Sequence, residues 1–263
     1  MILADKWISL GILLDDQFDS APLGRKPGPA AAVLNHMNAA IEEPRSVSDR
    51  LHPFEVAMVD LLSDLAAVMS PVWMRRHRHH ITLWWMGVAQ AIIHRTRPDT
   101  AAVEQRRRIR RKTVGMDGLS DLLEVACGFE LPLALYAMDE IQRMRQIVVD
   151  MTFYQNDMCS LDHEIASGCD DNILLAWEAD GNTLQQSIKL VKGHITKLAD
   201  EFVTLTTLLP TLAQELELTE RQRGGLHRWA DTCALYSSGA GHSQAICGAL
   251  HESAICHGPR SPS

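Results

Sequence analysis

The chain has 263 residues, 46% hydrophobic and 22% charged, which is enough for a sizeable core and too apolar for disorder. Its net charge of −8 argues against general nucleic-acid binding, which needs a broad basic face. No run of 18 apolar residues occurs, so no membrane insertion is expected, and the N-terminal MILADKWISLGILLDD lacks the basic region and small-residue cleavage site of a signal peptide.

In chain order, the apolar stretch Trp7–Leu14 is helical and runs into Asp15-Asp16-Gln17-Phe18-Asp19. Breakers at Pro22–Pro29 open the longest irregular stretch, Ser20 to Val47, although AAAVLNHMNAAI inside it has the composition of one more helix. Helical periodicity follows at Glu55–Met69 and Leu83–Ile93, with RRHRHH at Arg75–His80 between them. Those histidines have no zinc spacing such as HExxH and read as surface or rim residues. Beyond Pro98-Asp99 comes RRRIRR at Arg106–Arg111, then helical periodicity at Leu119–Ala126, a break at Gly128–Pro132 and a helix over Ala137–Met151. Gly168–Asn172 and Gly181-Asn182 interrupt the chain before a helix over Leu184–Leu209, and a polar tail follows Gly258. Strand alternation is scarce, so the expectation is about eight to ten helices in one all-α domain, where sites grow from side chains on facing helices. The six cysteines, Cys127, Cys159, Cys169, Cys233, Cys247 and Cys256, form no CxxC pair and read as free thiols of a reducing, cytoplasmic setting.

Two segments carry chemistry. Asp15 and Asp19 are four residues apart, so a helix puts both on one face about one turn apart, a repulsive pair unless a cation offsets it. A hard cation such as Mg2+ uses one or two carboxylates and completes its shell with water and phosphate oxygens. Taken alone, three acids in five residues are also what a solvated helix end presents. Downstream, Asn156, Ser160 and Glu164 lie at i, i+4 and i+8, fanned along one helix face. An amide carbonyl, a hydroxyl and a carboxylate make an oxygen set that suits Mg2+ rather than zinc, and taken alone it is equally a polar helix surface.

Together these segments resemble class I terpene synthases of the bacterial type. DDQFDS is similar to the family's aspartate motif, NDMCSLDHEIASGCDDNIL to its second metal motif, and RRRIRRKTVG to the stretch carrying its diphosphate-sensing arginine. On the family's spacing that arginine stands 46 residues before Asn156, which is Arg110, with Thr113 and Val114 in the linker and effector positions where a helix break turns a carbonyl toward substrate. The other arginines of that cluster are expected to include solvated surface residues. The resemblance covers almost the whole chain. It implies the helical bundle of class I terpenoid synthases, three Mg2+ ions held by Asp15, Asp16, Asp19, Asn156, Ser160 and Glu164, an isoprenoid diphosphate as ligand, and room for a homodimer. Aromatic faces can stabilise a migrating cation, and Phe153, Trp84, Trp85, Trp177 and Trp229 are candidates that can equally be core.

The chain departs from the family's pattern at three places. Only fourteen residues precede the aspartate motif where relatives carry several helices, so the expected domain, 1–257, is N-terminally short, with a disordered tail over 258–263. Alignment on Trp229 puts His242-Ser243 where relatives have an Arg-Tyr pair, and His163 stands where a lysine precedes the last glutamate. Histidine and serine can still donate hydrogen bonds to diphosphate, but a fixed cation and a phenol are lost. The resemblance implies a cyclase that takes farnesyl diphosphate, releases diphosphate and quenches the cation by deprotonation or water capture. Its rival is a terpene-synthase-like protein that binds Mg2+ and diphosphate without catalysis. A chain-elongating prenyltransferase fits less well, because it carries two aspartate-rich motifs.

Overall fold

The computed structural model describes residues 2–19, 22–42, 53–96, 103–167 and 171–255; the side chains of 2, 15, 16, 19, 22, 167 and 239–255 lie outside the described part, as does the expected tail over 258–263. Among the described residues there are twelve α-helices and no strand. In chain order they are α1 (Ile2–Asp19), α2 (Pro27–Glu42), α3 (Pro53–Ala66), α4 (Pro71–Arg95), α5 (Val103–Thr113), α6 (Met116–Cys127), α7 (Leu133–Tyr136), α8 (Asp139–Ser167), α9 (Ile173–Ala179), α10 (Leu184–Thr206), α11 (Leu209–Glu215) and α12 (Glu220–Ile255). The excess over the expected eight to ten comes from α7, α9 and α11, which are too short for periodicity to reveal.

Local chemistry sets the boundaries. Ser70 caps α4 by accepting from Trp73 N at 3.2 Å, with Pro71 in the first turn, where a missing N–H costs nothing. Pro27 and Pro29 do the same for α2, which is why much of the stretch expected to be irregular is helix. Thr183 and Gln186 form a reciprocal capping box on α10. Nothing between Asp139 and Ser167 is Gly or Pro, so the periodic stretch Ala137–Met151 and the helix face of the second metal motif are parts of one 29-residue helix, α8.

α8 is the axis of the bundle. It packs on α12, α10, α6 and α9, while α4 lies against α5, α2 and α6, and α1 rests on α3 and α6. The core is one continuous cluster in which Trp73, Trp229, Phe153 and Tyr154 are almost completely enclosed. No helix among the described residues is long and apolar enough to cross a membrane.

The RRHRHH cluster is largely interior, which corrects its expected place at the surface. His77 is fully buried and His80 buried, because α6 brings the enclosed carboxylates of Asp121 and Glu124 to that face of α4. Asp121 Oδ2 lies 3.1 Å from His77 Nδ1 and 2.7 Å from His80 Nδ1, Arg145 Nη2 donates to Asp121 Oδ1 at 2.7 Å, and Arg76 Nη2 donates to Glu124 Oε1 at 2.5 Å. Both guanidiniums also sit over the Tyr136 ring, at 4.1 and 5.1 Å. Against its burial, the Arg145 guanidinium and the hydrogen bonds from His77 and His80 hold Asp121 well below the usual carboxylate range, while burial pushes the His77 ring down. Only Arg75 and His79 of the cluster are exposed.

Candidate active site

The site forms where α5 gives way to α6. Gly115 takes φ +66°, a left-handed conformation that favours glycine, and turns the chain sharply after Val114. An added Cβ there would meet the Trp84 indole at 3.0 Å, so the turn lies directly on that ring. Trp84 Nε1 in turn donates to the Thr113 carbonyl at 2.9 Å, which satisfies an orphan acceptor at the end of α5.

Arg110, one turn before the break, is buried and faces α8. Its Nη2 donates to Asn156 Oδ1 and its Nε to Asp157 Oδ1, both at 2.8 Å, and its Nη1 reaches Thr113 Oγ1 at 3.2 Å. Asp157 is fully enclosed, and its other oxygen accepts from Ile173 N at 2.7 Å. Burial pushes the Asp157 carboxyl up to about 6, although Arg110 pulls the other way. Asn172 Nδ2 donates to the Asp157 carbonyl at 2.7 Å and caps α9 through Leu174 N at 2.9 Å. The asparagine after the second motif therefore ties α9 to α8 beneath the arginine.

Farther along α8, Ser160 Oγ lies 2.6 Å from Glu164 Oε1 and 2.8 Å from the Asn156 carbonyl oxygen. Three residues of hard oxygen chemistry thus share one helix face. Asp15, Asp16 and Asp19 occupy the last turns of α1; their side chains lie outside the described residues. The end of α1 is tied to the rest by Arg95, whose Nη1 donates to the Phe18 carbonyl at 2.8 Å and whose Nε donates to Asp171 Oδ2 at 2.6 Å.

Between α1, α4, α6, α8 and α12 lies a cavity of about 240 Å³. Trp7, Ile8, Gly11 and Ile12 of α1 form one wall, Trp84, Val114, Met116 and Leu119 another, and Thr152, Asn156 and Tyr236 close it, with Arg110 and Thr113 also on its lining. Gly11 stands four residues before Asp15 and Thr152 four before Asn156, so each metal motif continues a helix that has just lined the cavity.

The expected residues are distributed as follows. Arg110, Thr113, Val114 and Asn156 border one cavity, and Ser160 and Glu164 continue the α8 face beyond it. Phe153 does not join them: it is fully buried against Tyr154, one position past Thr152 on α8, and among the candidate rings Trp84 alone borders this cavity. His163 is exposed on α8 and is not part of the cavity wall. His242 and Ser243 fall within α12, with side chains outside the described residues. The RRRIRR arginines are mostly engaged rather than solvated: Arg111 pairs bidentately with Asp150 at 2.5 and 2.7 Å, Arg107 donates to the Tyr154 hydroxyl, and Arg106 reaches Asp171 at 3.6 Å, leaving Arg108 exposed. Trp7, Asp157 and Tyr236 join the site without a pattern of their own in the sequence. Asp157 sits inside the second motif, and Trp7 lies eight residues before Asp15, which is the signal that could have marked them.

The chain is similar to several known proteins. The family model described as terpene synthase family 2, C-terminal metal binding, matches residues 6–201. A pentalenene synthase of Streptomyces arenae is 27% identical over 223 residues, covering 83% of this chain, and the chain spans 65% of that relative's length. A 7-epi-alpha-eudesmol synthase of Streptomyces viridochromogenes, named as (2E,6E)-farnesyl diphosphate cyclizing, is 26% identical over 86% of this chain and 67% of its own length. The crystal structure of a linalool/nerolidol synthase from Streptomyces clavuligerus, in complex with 2-fluorogeranyl diphosphate, superposes with a TM-score of 0.82 at 23% identity, covering 91% of this chain and 78% of that one. That likeness shows the same fold.

Proposed function

Because the chain belongs to the terpene synthase family whose model is described as family 2, C-terminal metal binding, we propose that it is a class I terpene cyclase. It ionises a linear isoprenoid diphosphate, farnesyl diphosphate in the first instance, and cyclises the cation to a sesquiterpene. The observation that carries this reading is the meeting of Arg110 and Asn156 on the wall of a tryptophan-lined cavity. The farnesyl preference is supported by the eudesmol synthase relative, whose name specifies that substrate.

The oxygen donors fit Mg2+. Asn156, Ser160 and Glu164 would hold one ion, and Asp15, Asp16 and Asp19 the other two of three. When bound, Mg2+ neutralises charge developing on the leaving diphosphate without proton transfer. The chain's own residues do the rest. Arg110 offers directional donors to diphosphate oxygens, and Asp157 fixes the plane of its guanidinium. His163, His242 and Ser243 would add further donors. Trp7 and Trp84 keep water from the cation and present polarisable faces to it. Thr113 and Val114 hold the helix break against the substrate, steadied by the Trp84 hydrogen bond.

The test is incubation of the purified chain with farnesyl diphosphate and Mg2+, followed by gas chromatography of the extract and measurement of released diphosphate. Mg2+-dependent volatile terpenes are expected. Diphosphate binding without release would instead identify a non-catalytic binding protein.

A further inference from the structure

Tyr236 and Thr152 place two hydroxyls in the cavity wall. Tyr236 borders the cavity from α12 and Thr152 from α8, one helical turn before Asn156. The phenol is half-buried and its donor goes to Met116 Sδ at 3.5 Å, a weak acceptor, so the oxygen keeps most of its accepting capacity. The Thr152 side chain adjoins the phenol as a hydrogen-bonding neighbour, and its own hydroxyl donates to the Val148 carbonyl at 2.8 Å, leaving lone pairs available. Burial pushes the Tyr236 phenol up to about 12, so it stays protonated and uncharged. Its position is fixed from the next residue: Gln155 Nε2 donates to the Ser237 carbonyl at 3.1 Å, pinning α12 to α8.

Resting on the cyclase reading, we propose that Tyr236 and Thr152 hold the water that quenches the carbocation, so the chain makes a terpene alcohol rather than a hydrocarbon. A water needs two or more polar partners to stay in an apolar site, and this pair supplies two acceptors on one patch of the wall. A water donating both protons to them keeps an oxygen lone pair directed toward the cavity. That lone pair forms the new C–O bond to the cationic carbon. The resulting oxonium loses one proton to the diphosphate released in the ionisation. The sum is cation, water and diphosphate giving neutral alcohol and monoprotonated diphosphate. Tyr236 and Thr152 act as positioning residues through the water and are not altered.

The experiment compares the full chain with Tyr236→Phe and Thr152→Val, given farnesyl diphosphate and Mg2+ in 18O-labelled water. Alcohol and hydrocarbon are quantified per diphosphate released, and folding is checked by circular dichroism and by binding of a non-ionisable thiodiphosphate analogue. The parent chain is expected to give a labelled alcohol, and each variant to lower the alcohol-to-hydrocarbon ratio by about tenfold, the worth of one hydrogen bond. A variant that binds the analogue and keeps the parent ratio overturns the proposal. So does a parent chain that releases diphosphate but yields only hydrocarbon, with the cyclase reading intact. A parent chain that releases no diphosphate overturns both.

Discussion

Arg110 Nη2 donates to Asn156 Oδ1 at 2.8 Å, so the amide that the second metal motif offers to a cation is also the partner of the arginine beside it. The same guanidinium is the counter-charge of the enclosed Asp157. Arg110→Met therefore leaves a buried carboxylate unpaired, and we expect a loss of about 3–5 kcal/mol in unfolding free energy. Adding Asp157→Asn should recover most of that, because a neutral amide needs no counter-charge and its oxygen still accepts from Ile173 N. Diphosphate affinity, measured by calorimetry, should fall in the single variant and stay low in the double one. Equal recovery of stability and of affinity would show that Arg110 matters only as a structural ion.

Arg95 links the first metal motif to the second, through the Phe18 carbonyl on one side and Asp171 on the other. Asp171 precedes Asn172, which bonds the Asp157 carbonyl under Arg110. Arg95→Met breaks the first link while Arg106 continues to face Asp171, so a moderate cost of about 1–3 kcal/mol is expected. The distinctive sign is local: amide hydrogen exchange should accelerate in the last turn of α1 more than in α10, and Mg2+ should be bound more weakly.

What could be read in the sequence was whatever one helix states by itself. Asp15, Asp19, Asn156, Ser160 and Glu164 are spaced by the helical repeat, so none of them needs tertiary knowledge, whereas Arg110 lies on a different helix and is reached only through the family resemblance. What could not be read depends on which neighbour meets which face. Thr152 borders the cavity and Phe153 points into the core because α8 is wrapped by α10 on one side and α12 on the other. The RRHRHH cluster is interior because α6, some forty residues later, supplies Asp121 and Glu124. A charge run carries no mark of its future counter-ions.

Gly118 of α6 makes room for the cavity's aromatic floor. A Cβ there would come within 2.7 Å of the Trp7 ring, which is itself held between His77 at 5.0 Å and Trp84 at 5.9 Å. Trp7 is buried and has no free direction to move, so Gly118→Ala should cost about 1–3 kcal/mol by overpacking despite its gain in helix propensity. The variant should also shift the fluorescence of the tryptophans and change the product pattern of any cyclase activity. An unchanged thermal midpoint would mean that α1 slides outward freely.

His77 should make the protein acid-sensitive. Its Nδ1 faces Asp121, and its Nε2 is buried with no hydrogen-bond partner among the described residues, so the neutral ring carries its proton on Nδ1 and a second proton would be enclosed unpaired. Burial lowers the folded ring's pKa below 6.5, so as pH falls under 6.5 the unfolded chain takes up the proton first and stability declines. Asp117 and Glu124, pushed up by burial, and Asp157, pushed up to about 6, contribute the opposite slope, so the parent curve alone is not diagnostic. His77→Gln keeps a donor for Asp121 and removes the titration. Urea unfolding of parent and variant from pH 7 to pH 5 should show the parent losing stability relative to the variant as acid is added, with the difference growing below pH 6.5. A difference independent of pH would assign His77 a packing role against Trp7 and Trp73, with no part in the acid response.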